Sequence, residues 1–253
     1  MKSSYKPKVS IITAVKNNAD FISRAIVSIM NQTYDNIEHI IVDNNSEDGT
    51  DKVVQKLLNK SMKYINEKDS GIYDALNKGI KLSSGEIVGF LHADDVLKSR
   101  NTINKIISNF NNAKCDIVYG DLIYFNKDKP NKTYRYWRSG GYQTNYLGRG
   151  WMPPHPTLYV KKNIYTDEGL FDCKYKISAD YEWILRVFMK KKYKITYIPE
   201  VLVKMQTGGI SNYSLSNIYD KTIEDLEVIK SFNMSSLAII RKNISKLPQL
   251  IGL

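Results

Sequence analysis

The sequence contains few cysteines and no long apolar run. Cys115 and Cys173 are the two cysteines among its 253 residues, and their spacing fits neither a metal site nor a CxxC motif. We expect reduced thiols in a cytoplasmic protein, which excludes a secreted scaffold held by disulfides. No stretch reaches the ~20 apolar residues of a membrane-spanning helix. The start, MKSSYKPKVSIITAV, has too short an apolar run for a signal peptide.

Two motifs that would indicate other classes of protein are also missing. No GxGxxG follows the first predicted strand, which excludes a dinucleotide-dependent dehydrogenase. The chain has no recognised nucleic-acid-binding motif, and its aromatic residues are not arranged as a platform for stacking bases. We therefore expect no nucleic-acid partner.

Excess positive charge is confined to the second half of the chain. Residues 1–125 carry 16 Lys and Arg against 15 Asp and Glu, whereas residues 126–253 carry 21 against 11. A uniformly basic nucleic-acid-binding protein would not have this distribution. The second half is therefore expected to meet an anionic partner.

Short apolar strands alternate with helical patterns in the first half. Strands are predicted at 9–15, 37–42, 62–66, 86–91 and 117–125, and helices at 20–31, 51–59, 72–82 and 102–110. This alternation predicts an α/β fold with a Rossmann-like, mainly parallel sheet flanked by helices. The second half predicts an irregular α+β region and C-terminal helices. Its elements are a hairpin at 126–137, a loop at 139–156, a helix at 180–191, strands at 195–198 and 201–205, and helices at 217–230 and 237–246.

Polar residues follow the first, second and fourth strands, at one edge of the predicted sheet, where α/β proteins bind ligands. The fourth strand is followed by His92, Ala93, Asp94 and Asp95. Adjacent carboxylates at a strand end are unfavourable unless a cation or hydrogen-bond donors compensate them. Mg²⁺ and Mn²⁺ prefer oxygen ligands and commonly bind one or two carboxylates plus substrate phosphates. Alternatively, Asp95 caps the helix predicted a few residues later.

Two further clusters have a functional and a structural interpretation. Asp43 ends the second strand, where its carboxylate suits the N–H groups of a nucleobase, while residues 46–50 suit a turn that caps the next helix. After the third strand, Asp69 or Ser70 suits a helix cap, and Asp74 and Lys78 suit an i,i+4 surface ion pair. Alternatively, that helix presents Asp69, Asn77 and Lys78 to ribose or phosphate.

Several strings occur in an order that indicates a known family. VSIITAVKN, IIVDNNSEDGT, EKDSGIYDALNKGI and GEIVGFLHADDVL resemble the nucleotide-sugar domain of family 2 glycosyltransferases of the GT-A fold, closely over residues 8–97. The strings MPPHPTLYVKK (152–162), GLFDCKYKISADYEWILRV (169–187) and GGIS (208–211) more loosely resemble the acceptor half of bacterial surface-polysaccharide transferases. The resemblance implies a GT-A fold and an inverting transferase that uses a divalent metal.

The resemblance also implies roles for single residues. The matches to nucleotide-sugar-binding positions are Thr13, Ala14, Val15, Asp43, Asp69, Lys78 and Asp94. Asp95 matches the ligand of the Mn²⁺ or Mg²⁺ that bridges the diphosphate, and Asp180 matches the catalytic base. Two positions depart from the family pattern. His92 stands where many relatives have Asn or Asp, and Ala179 stands where some have Glu.

The chemistry of sugar transfer needs the same two kinds of residue. A divalent ion stabilises the diphosphate leaving group, and a base deprotonates the attacking hydroxyl. Asp95 and Asp180 lie on different predicted elements, so each can serve one face of the sugar, and attack opposite the leaving group inverts the anomeric carbon. The structural alternative for Asp180 is an N-cap of its helix.

The weaker candidates lie in irregular segments. Trp151 suits stacking on an acceptor sugar, and His155 suits contact with the diphosphate or metal. Packing in the core and an ordinary structural hydrogen bond are the alternatives. Residues 207–211 suit either a flap over the donor or a simple turn.

The whole sequence predicts a metal-dependent inverting glycosyltransferase. The expected donor is a UDP-sugar, and the expected acceptor is a glycan on a lipid diphosphate in polysaccharide or O-antigen synthesis. The alternative is a catalytically silent sugar-nucleotide-binding module, which the presence of both Asp95 and Asp180 disfavours. We divide the chain into a nucleotide-sugar half (1–125), an acceptor and base half of the same domain (126–213) and a helical extension (214–253).

The C-terminal segment 235–253 is basic and has no acidic residue. Its apolar residues follow helical spacing, so it suits peripheral contact with an anionic bilayer at the inner face of the cytoplasmic membrane. Packing of this helix on the core, with a solvated basic face, is the alternative.

Overall fold

The computed structural model describes residues 6–126, 129–207, 215–235, 237–238 and 242, with the backbone alone at 129–131 and 215–218. Within these residues the chain forms nine strands and eight α-helices. The strands are β1 (Val9–Val15), β2 (Ile37–Asp43), β3 (Met62–Asn66), β4 (Ile87–Phe90), β5 (Val96–Leu97), β6 (Ile117–Asn126), β7 (Lys129–Trp137), β8 (Tyr159–Lys161) and β9 (Ile195–Gln206). The helices are α1 (Ile22–Met30), α2 (Thr50–Leu57), α3 (Ile72–Leu82), α4 (Thr102–Ala113), α5 (Thr144–Leu147), α6 (Lys162–Glu168), α7 (Ala179–Phe188) and α8 (Leu215–Ser231).

The alternation predicted for the first half is confirmed. β1, β3 and α3 have the predicted bounds. β1 is a mostly apolar buried run, and α3 has an apolar stripe of helical period. The other predicted elements of this half differ from the structure by a few residues at their ends, where helices fray and caps decide the boundary.

All nine strands belong to one sheet, whose order is β3-β2-β1-β4-β8-β6-β9-β5, with β7 paired to β6. β3, β2, β1 and β4 are parallel, while β8 runs antiparallel between β4 and β6. Val15 at the end of β1 is in register with Asp43 at the end of β2. The ends of β1, β2 and β4 therefore form one edge, called here the carboxyl edge.

The second half departs from the prediction at several places, among them α5, which lies within the predicted loop at 139–156. β9 is one strand where two are predicted, and its pairing with β6 shifts register beside Pro199. Proline has no N–H for the ladder, so pairing is interrupted there and then resumes. β8 and α6 are not predicted, because runs of 3 and 7 residues are too short to show a period. The helix predicted at 237–246 lies mostly outside the described residues.

The two faces of the sheet are both covered, as expected of a mainly parallel sheet. One face packs against α1 and α4, through residues such as Ile29 and Ile106. The other packs against α3 and α7 in an aromatic-rich core that also contains Val228 and Ala238 of the C-terminal region. No helix among the described residues has the length and apolarity that crossing a membrane requires.

Candidate active site

A tight turn after β4 places Asp95 in the interior of the carboxyl edge. The Asp95 N–H donates to the carbonyl of His92 (3.1 Å), and the chain then enters β5, which pairs with β9. Asp95 is fully buried: its Oδ1 accepts the Gln206 N–H (3.2 Å), while its Oδ2 has no hydrogen-bond partner among the described residues. Burial, and then the neighbouring Asp94, raise the pKa of Asp95 well above its usual range. The predicted capping role of Asp95 is wrong, because α4 begins after Asn101.

The carboxylates of Asp94 and Asp95 suit a divalent cation. Among those residues, no group of three or more His, Cys, Asp and Glu is gathered as a complete metal site. A buried carboxylate oxygen without a donor, beside the partly buried Asp94, is the arrangement that one hard cation compensates. Mg²⁺-type sites take their remaining ligands from water and substrate phosphates, so two protein carboxylates suffice.

Asp180 lies in the first turn of α7, where its carboxylate is held from two sides. Its Oδ1 accepts the N–H of Tyr181 (2.8 Å) and lies 3.1 Å from the hydroxyl of Tyr73. That hydroxyl is also 2.8 Å from the carbonyl of Ile177. The N-cap of α7 is Ser178, so the predicted N-cap role of Asp180 is wrong. Tyr73 is not among the predicted site residues, although it is one of the buried residues of α3.

Two histidines, the partly buried His92 and the buried His155, lie near the acidic residues of the site. His92 interacts electrostatically with both Asp94 and Asp180, and burial lowers its pKa. The His155 ring lies 4.8 Å from the Phe90 ring and 6.2 Å from the His92 ring, measured between centroids. Burial lowers the pKa of His155 to about 4, although Asp180 opposes this shift. The structure thus brings Asp94, His155 and Asp180 around one histidine, whereas the sequence separates them.

Asp43 is fully buried at the end of β2 and bonds within the protein. Its Oδ1 accepts the N–H (3.0 Å) and hydroxyl (2.5 Å) of Ser46, and its Oδ2 accepts the Tyr64 hydroxyl (2.7 Å). These bonds fix the orientation of the carboxylate at the carboxyl edge. The predicted turn at 46–50 is confirmed, and Asp48 Oδ2 ties it to the Ala19 N–H (2.9 Å) after β1.

The residues at the end of β1 turn mainly toward the core. Thr13 donates its hydroxyl proton to the Leu91 carbonyl (2.8 Å), and its Oγ1 lies 3.0 Å from His39 Nε2. Val15 packs in the apolar cluster under α1, and Ala14 is partly exposed. Contacts of Thr13 and Val15 with a ligand would therefore use the main chain.

The segment before α3 lies beside the end of β2. The Asp69 N–H donates to Asn44 (3.1 Å), and burial raises the pKa of Asp69. Lys78 fastens this segment to the helix, since its ammonium donates to the Lys68 carbonyl (2.8 Å) and pairs with Glu67 (2.9 Å). These bonds tie the segment to the end of β2 and to α3.

Asn77 does not face the segment before α3. Its amide exchanges two hydrogen bonds with the main chain of Phe171, at 2.9 and 3.0 Å. It therefore joins α3 to the chain that leads into α7, which excludes Asn77 from the group predicted to face ribose or phosphate.

Trp151 packs in an aromatic cluster beside the site. Its ring centroid lies 5.8 Å from those of Tyr119 and Tyr142, and its indole N–H donates to the Ser139 carbonyl (2.8 Å). This geometry favours the packing interpretation for Trp151. Of the predicted flap, Thr207 donates its N–H to the Phe125 carbonyl (2.8 Å), and residues 208–211 lie outside the described residues.

A cavity of about 690 Å³ lies at the opposite edge of the sheet from these side chains. Pro7, Ile87 and Lys161 are among its lining residues. It takes no part in the cluster around His92.

Comparisons with known proteins place this architecture in the GT-A class. The mannosyltransferase PcManGT from Pyrobaculum calidifontis, in complex with GDP-Man and Mn²⁺, superposes with a TM-score of 0.68, covering 98% of this chain and 74% of that chain at 17% identity. S. aureus TarS 1–349 in complex with UDP-GlcNAc superposes with a TM-score of 0.63, covering 89% and 73% at 17% identity. The described structure is a GT-A fold with a curled, mainly parallel sheet.

The sequence comparisons define the family. The model of glycosyl transferase family 2 matches residues 10–174, and the chain belongs to this family. A PGL/p-HBAD biosynthesis glycosyltransferase of Mycobacterium bovis (strain BCG / Pasteur 1173P2) is 27% identical over 240 residues, which are 93% of this chain and 88% of that protein. An uncharacterized glycosyltransferase of Rickettsia prowazekii (strain Madrid E) is 32% identical over 234 residues, which are 88% and 71%. The predicted activity, sugar transfer by a glycosyltransferase, is confirmed at this level.

Proposed function

We propose that the protein transfers a sugar from a nucleoside diphosphate sugar to an acceptor hydroxyl, with inversion and with a divalent metal. The observation that supports this proposal is the arrangement around His92. His92 interacts electrostatically with Asp180 and with Asp94, the neighbour of buried Asp95, whose Oδ2 has no hydrogen-bond partner among the described residues. Sugar transfer needs a site for a diphosphate-bound cation and a separate base, and these carboxylates support assigning one role to Asp94 and Asp95 and the other to Asp180.

Asp94 and Asp95 are the residues that would hold Mn²⁺ or Mg²⁺. When bound, the ion would neutralise charge on the diphosphate leaving group. The chain itself contributes two carboxylates, and the burial of Asp95 excludes water that would weaken electrostatic interactions at this point. Asp43 offers its carboxylate, held by Ser46 and Tyr64, to the N–H groups of the nucleobase.

Asp180 is the proposed base. Its carboxylate accepts the proton of the acceptor hydroxyl while that oxygen bonds to the anomeric carbon and the bond from carbon to the diphosphate oxygen breaks. Attack from the face opposite the leaving group inverts the configuration in a single displacement. The Tyr73 hydroxyl and the Tyr181 N–H at Asp180 Oδ1 hold the carboxylate in one orientation.

The proposed donor is a UDP-sugar. One structural neighbour binds UDP-GlcNAc and another binds GDP-Man. The nucleobase of the donor is therefore a question for a direct test. The proposed acceptor is a glycan on a lipid diphosphate in polysaccharide or O-antigen synthesis, which the charge excess of residues 126–253 supports.

A donor screen tests the proposed function. The full chain is incubated with UDP-, GDP- and dTDP-sugars, with Mn²⁺, with Mg²⁺ or with chelator, and both binding and release of nucleoside diphosphate are measured. We expect metal-dependent binding of one nucleotide class and slow hydrolysis. Binding without turnover, even with acceptors, would favour the catalytically silent module, and failure to bind any donor would contradict the proposal.

A further inference from the structure

Three consecutive main-chain amides directly ahead of α7 share one carboxylate. Glu224 of α8 accepts the N–H of Lys176 at Oε1 (2.9 Å) and the N–H groups of Ile177 and Ser178 at Oε2 (2.8 and 2.9 Å). These three residues are called here the pre-α7 bend. Hydrogen bonds to a charged acceptor are shorter and stronger than neutral ones, so this carboxylate fixes the bend firmly.

The bend is held on its other side by α3. The Tyr73 hydroxyl contacts both the Ile177 carbonyl (2.8 Å) and Asp180 Oδ1 (3.1 Å). Farther back along the chain, Asn77 holds Phe171 through its two main-chain bonds. Two helices that are distant in sequence therefore fix the path of the chain into Asp180.

The anchor on α8 is itself immobilised next to Glu224. Asp225 accepts the Ser178 hydroxyl (2.8 Å) at one oxygen and pairs with the Lys242 ammonium (2.9 Å) at the other. Lys242 and Asp225 are buried, and the ammonium lies 3.4 Å from the centroid of the Tyr181 ring. A buried pair with these contacts holds α8 in one position against the start of α7.

We propose that Glu224 is a positioning residue for the reaction: it sets the location of Asp180 by holding the three amides of the pre-α7 bend. The inference depends on the proposed function, in which Asp180 is the base. Displacement of a reacting group by about 1 Å can slow a reaction by about 10²-fold. Glu224 lies beyond the residues 10–174 that the family model matches, so its role belongs to the C-terminal region of this chain.

The structural half of the inference is tested by hydrogen exchange in Glu224→Gln. The Gln side chain has one acceptor oxygen in place of two. Its NH₂ group is a donor and cannot accept a hydrogen bond from the main-chain N–H groups of residues 176–178. We expect amide exchange at 176–178 to accelerate about tenfold or more, because local opening becomes easier. Glu227→Gln, an exposed position on the same helix, is the matched control. Unchanged exchange at 176–178 would overturn the inference.

The functional half is tested by hydrolysis of UDP-GlcNAc and GDP-Man with Mn²⁺. The measured quantity is the rate at which UDP or GDP is released. In Glu224→Gln we expect kcat to fall about tenfold while KM for the donor stays within about twofold, since only the base is displaced. Glu227→Gln should match the parent. An unchanged kcat, or a rise in KM that accounts for the whole loss, would contradict a positioning role.

A double-mutant cycle separates this inference from the proposed function. In an Asp180→Asn background, Glu224→Gln should cause no further loss, because the group that it positions is already inactive. An equal loss in both backgrounds would overturn the inference and leave the base assignment intact. Full activity of Asp180→Asn alone would overturn the base assignment, and this inference with it.

Discussion

Asp95 destabilises the fold that contains it. One of its carboxylate oxygens is buried without a hydrogen-bond partner among the described residues, and burial raises its pKa. A buried polar atom without a partner costs about 1–3 kcal/mol. Such a residue suits a site in which a ligand supplies the missing interaction.

Asp95→Asn is therefore expected to separate stability from binding. Without metal or donor, its melting temperature should rise by a few degrees, since about 1 kcal/mol shifts Tm by roughly 2–4 °C at this chain length. The metal-dependent rise in Tm on adding donor should disappear. Differential scanning fluorimetry measures both effects, with the exposed Asp35→Asn as control. Metal-dependent stabilisation of Asp95→Asn equal to that of the parent would contradict the assignment of Asp95.

Asp180→Asn tests the base. The variant keeps the size of the side chain and an acceptor for the Tyr181 N–H but cannot take up the proton, so turnover should fall about 10²-fold or more. Donor affinity, measured by calorimetry, should change little. Glu182 is the nearest acidic residue on α7, but Arg186 binds it through two nitrogens, at 2.8 and 2.9 Å. An active Asp180→Asn would require a base elsewhere, and Glu182→Gln would be the next variant.

His39 makes stability depend on pH. Burial lowers its pKa to about 3, whereas the unfolded chain binds the proton near pH ~6.5. Below pH ~6.5 the unfolded state binds a proton at His39 and the folded state does not. The contribution of His39 to the free energy of unfolding is therefore complete above this pH and is lost as pH falls toward 3. The loss of unfolding free energy between pH 6 and pH 4 should be about 2–3 kcal/mol smaller in His39→Gln. Urea titrations at each pH measure this difference, and identical slopes would contradict it.

At the scale of elements, periodic stretches were predictable and contacts between distant segments were not. β1 and α3 follow from their own apolar patterns. The position of Asp43 and Asp95 at one edge follows from the general rule for parallel sheets. The burial of Asp95 could not be predicted, because it depends on β9 pairing with β5 some 100 residues later. The bonds from Glu224 to the pre-α7 bend have no local pattern either.

The packing of β4 against β8 supplies an element-scale prediction. Gly89 faces Tyr159, and a Cβ on Gly89 would overlap the buried Tyr159 ring. Overpacking of this kind costs about 1–3 kcal/mol, so Gly89→Ala should lower Tm by several degrees. Gly141→Ala, where a Cβ meets nothing within 4 Å, is the control. Equal melting temperatures for the two variants would contradict this prediction and would mean that β8 moves to accommodate the Cβ with no loss of stability.

At the scale of the whole molecule, the basic half suits an anionic surface. Lys242 of the basic segment 235–253 does not contribute to that surface, because its ammonium is buried against Asp225. Deletion of 235–253 would therefore expose Asp225 and confuse a loss of packing with a loss of charge. Single charge changes are the cleaner test, because each basic residue near an anionic bilayer contributes about 1 kcal/mol.

We expect the full chain to sediment with phosphatidylglycerol vesicles at low salt and to be released at high salt, because screening weakens the attraction. Arg241→Gln with Lys246→Gln should weaken this binding. Lys52→Gln with Lys56→Gln, both exposed on α2, should not. No sedimentation of the parent chain at low salt would rule out the membrane role.

The hydrogen bonds from the pre-α7 bend to Glu224 of α8 limit where segments of this chain can be exchanged with those of its relatives. Val228 and Ala238 are buried in the same core as Ile12 of β1, and Glu224 holds amides 48 to 46 positions earlier in the chain. A chimera that exchanged residues 126–213 alone would join a foreign bend to this α8. A crossover placed after residue 242 would keep the bend, its anchor and the buried pair together, so it is the boundary at which an acceptor region could be exchanged as one unit.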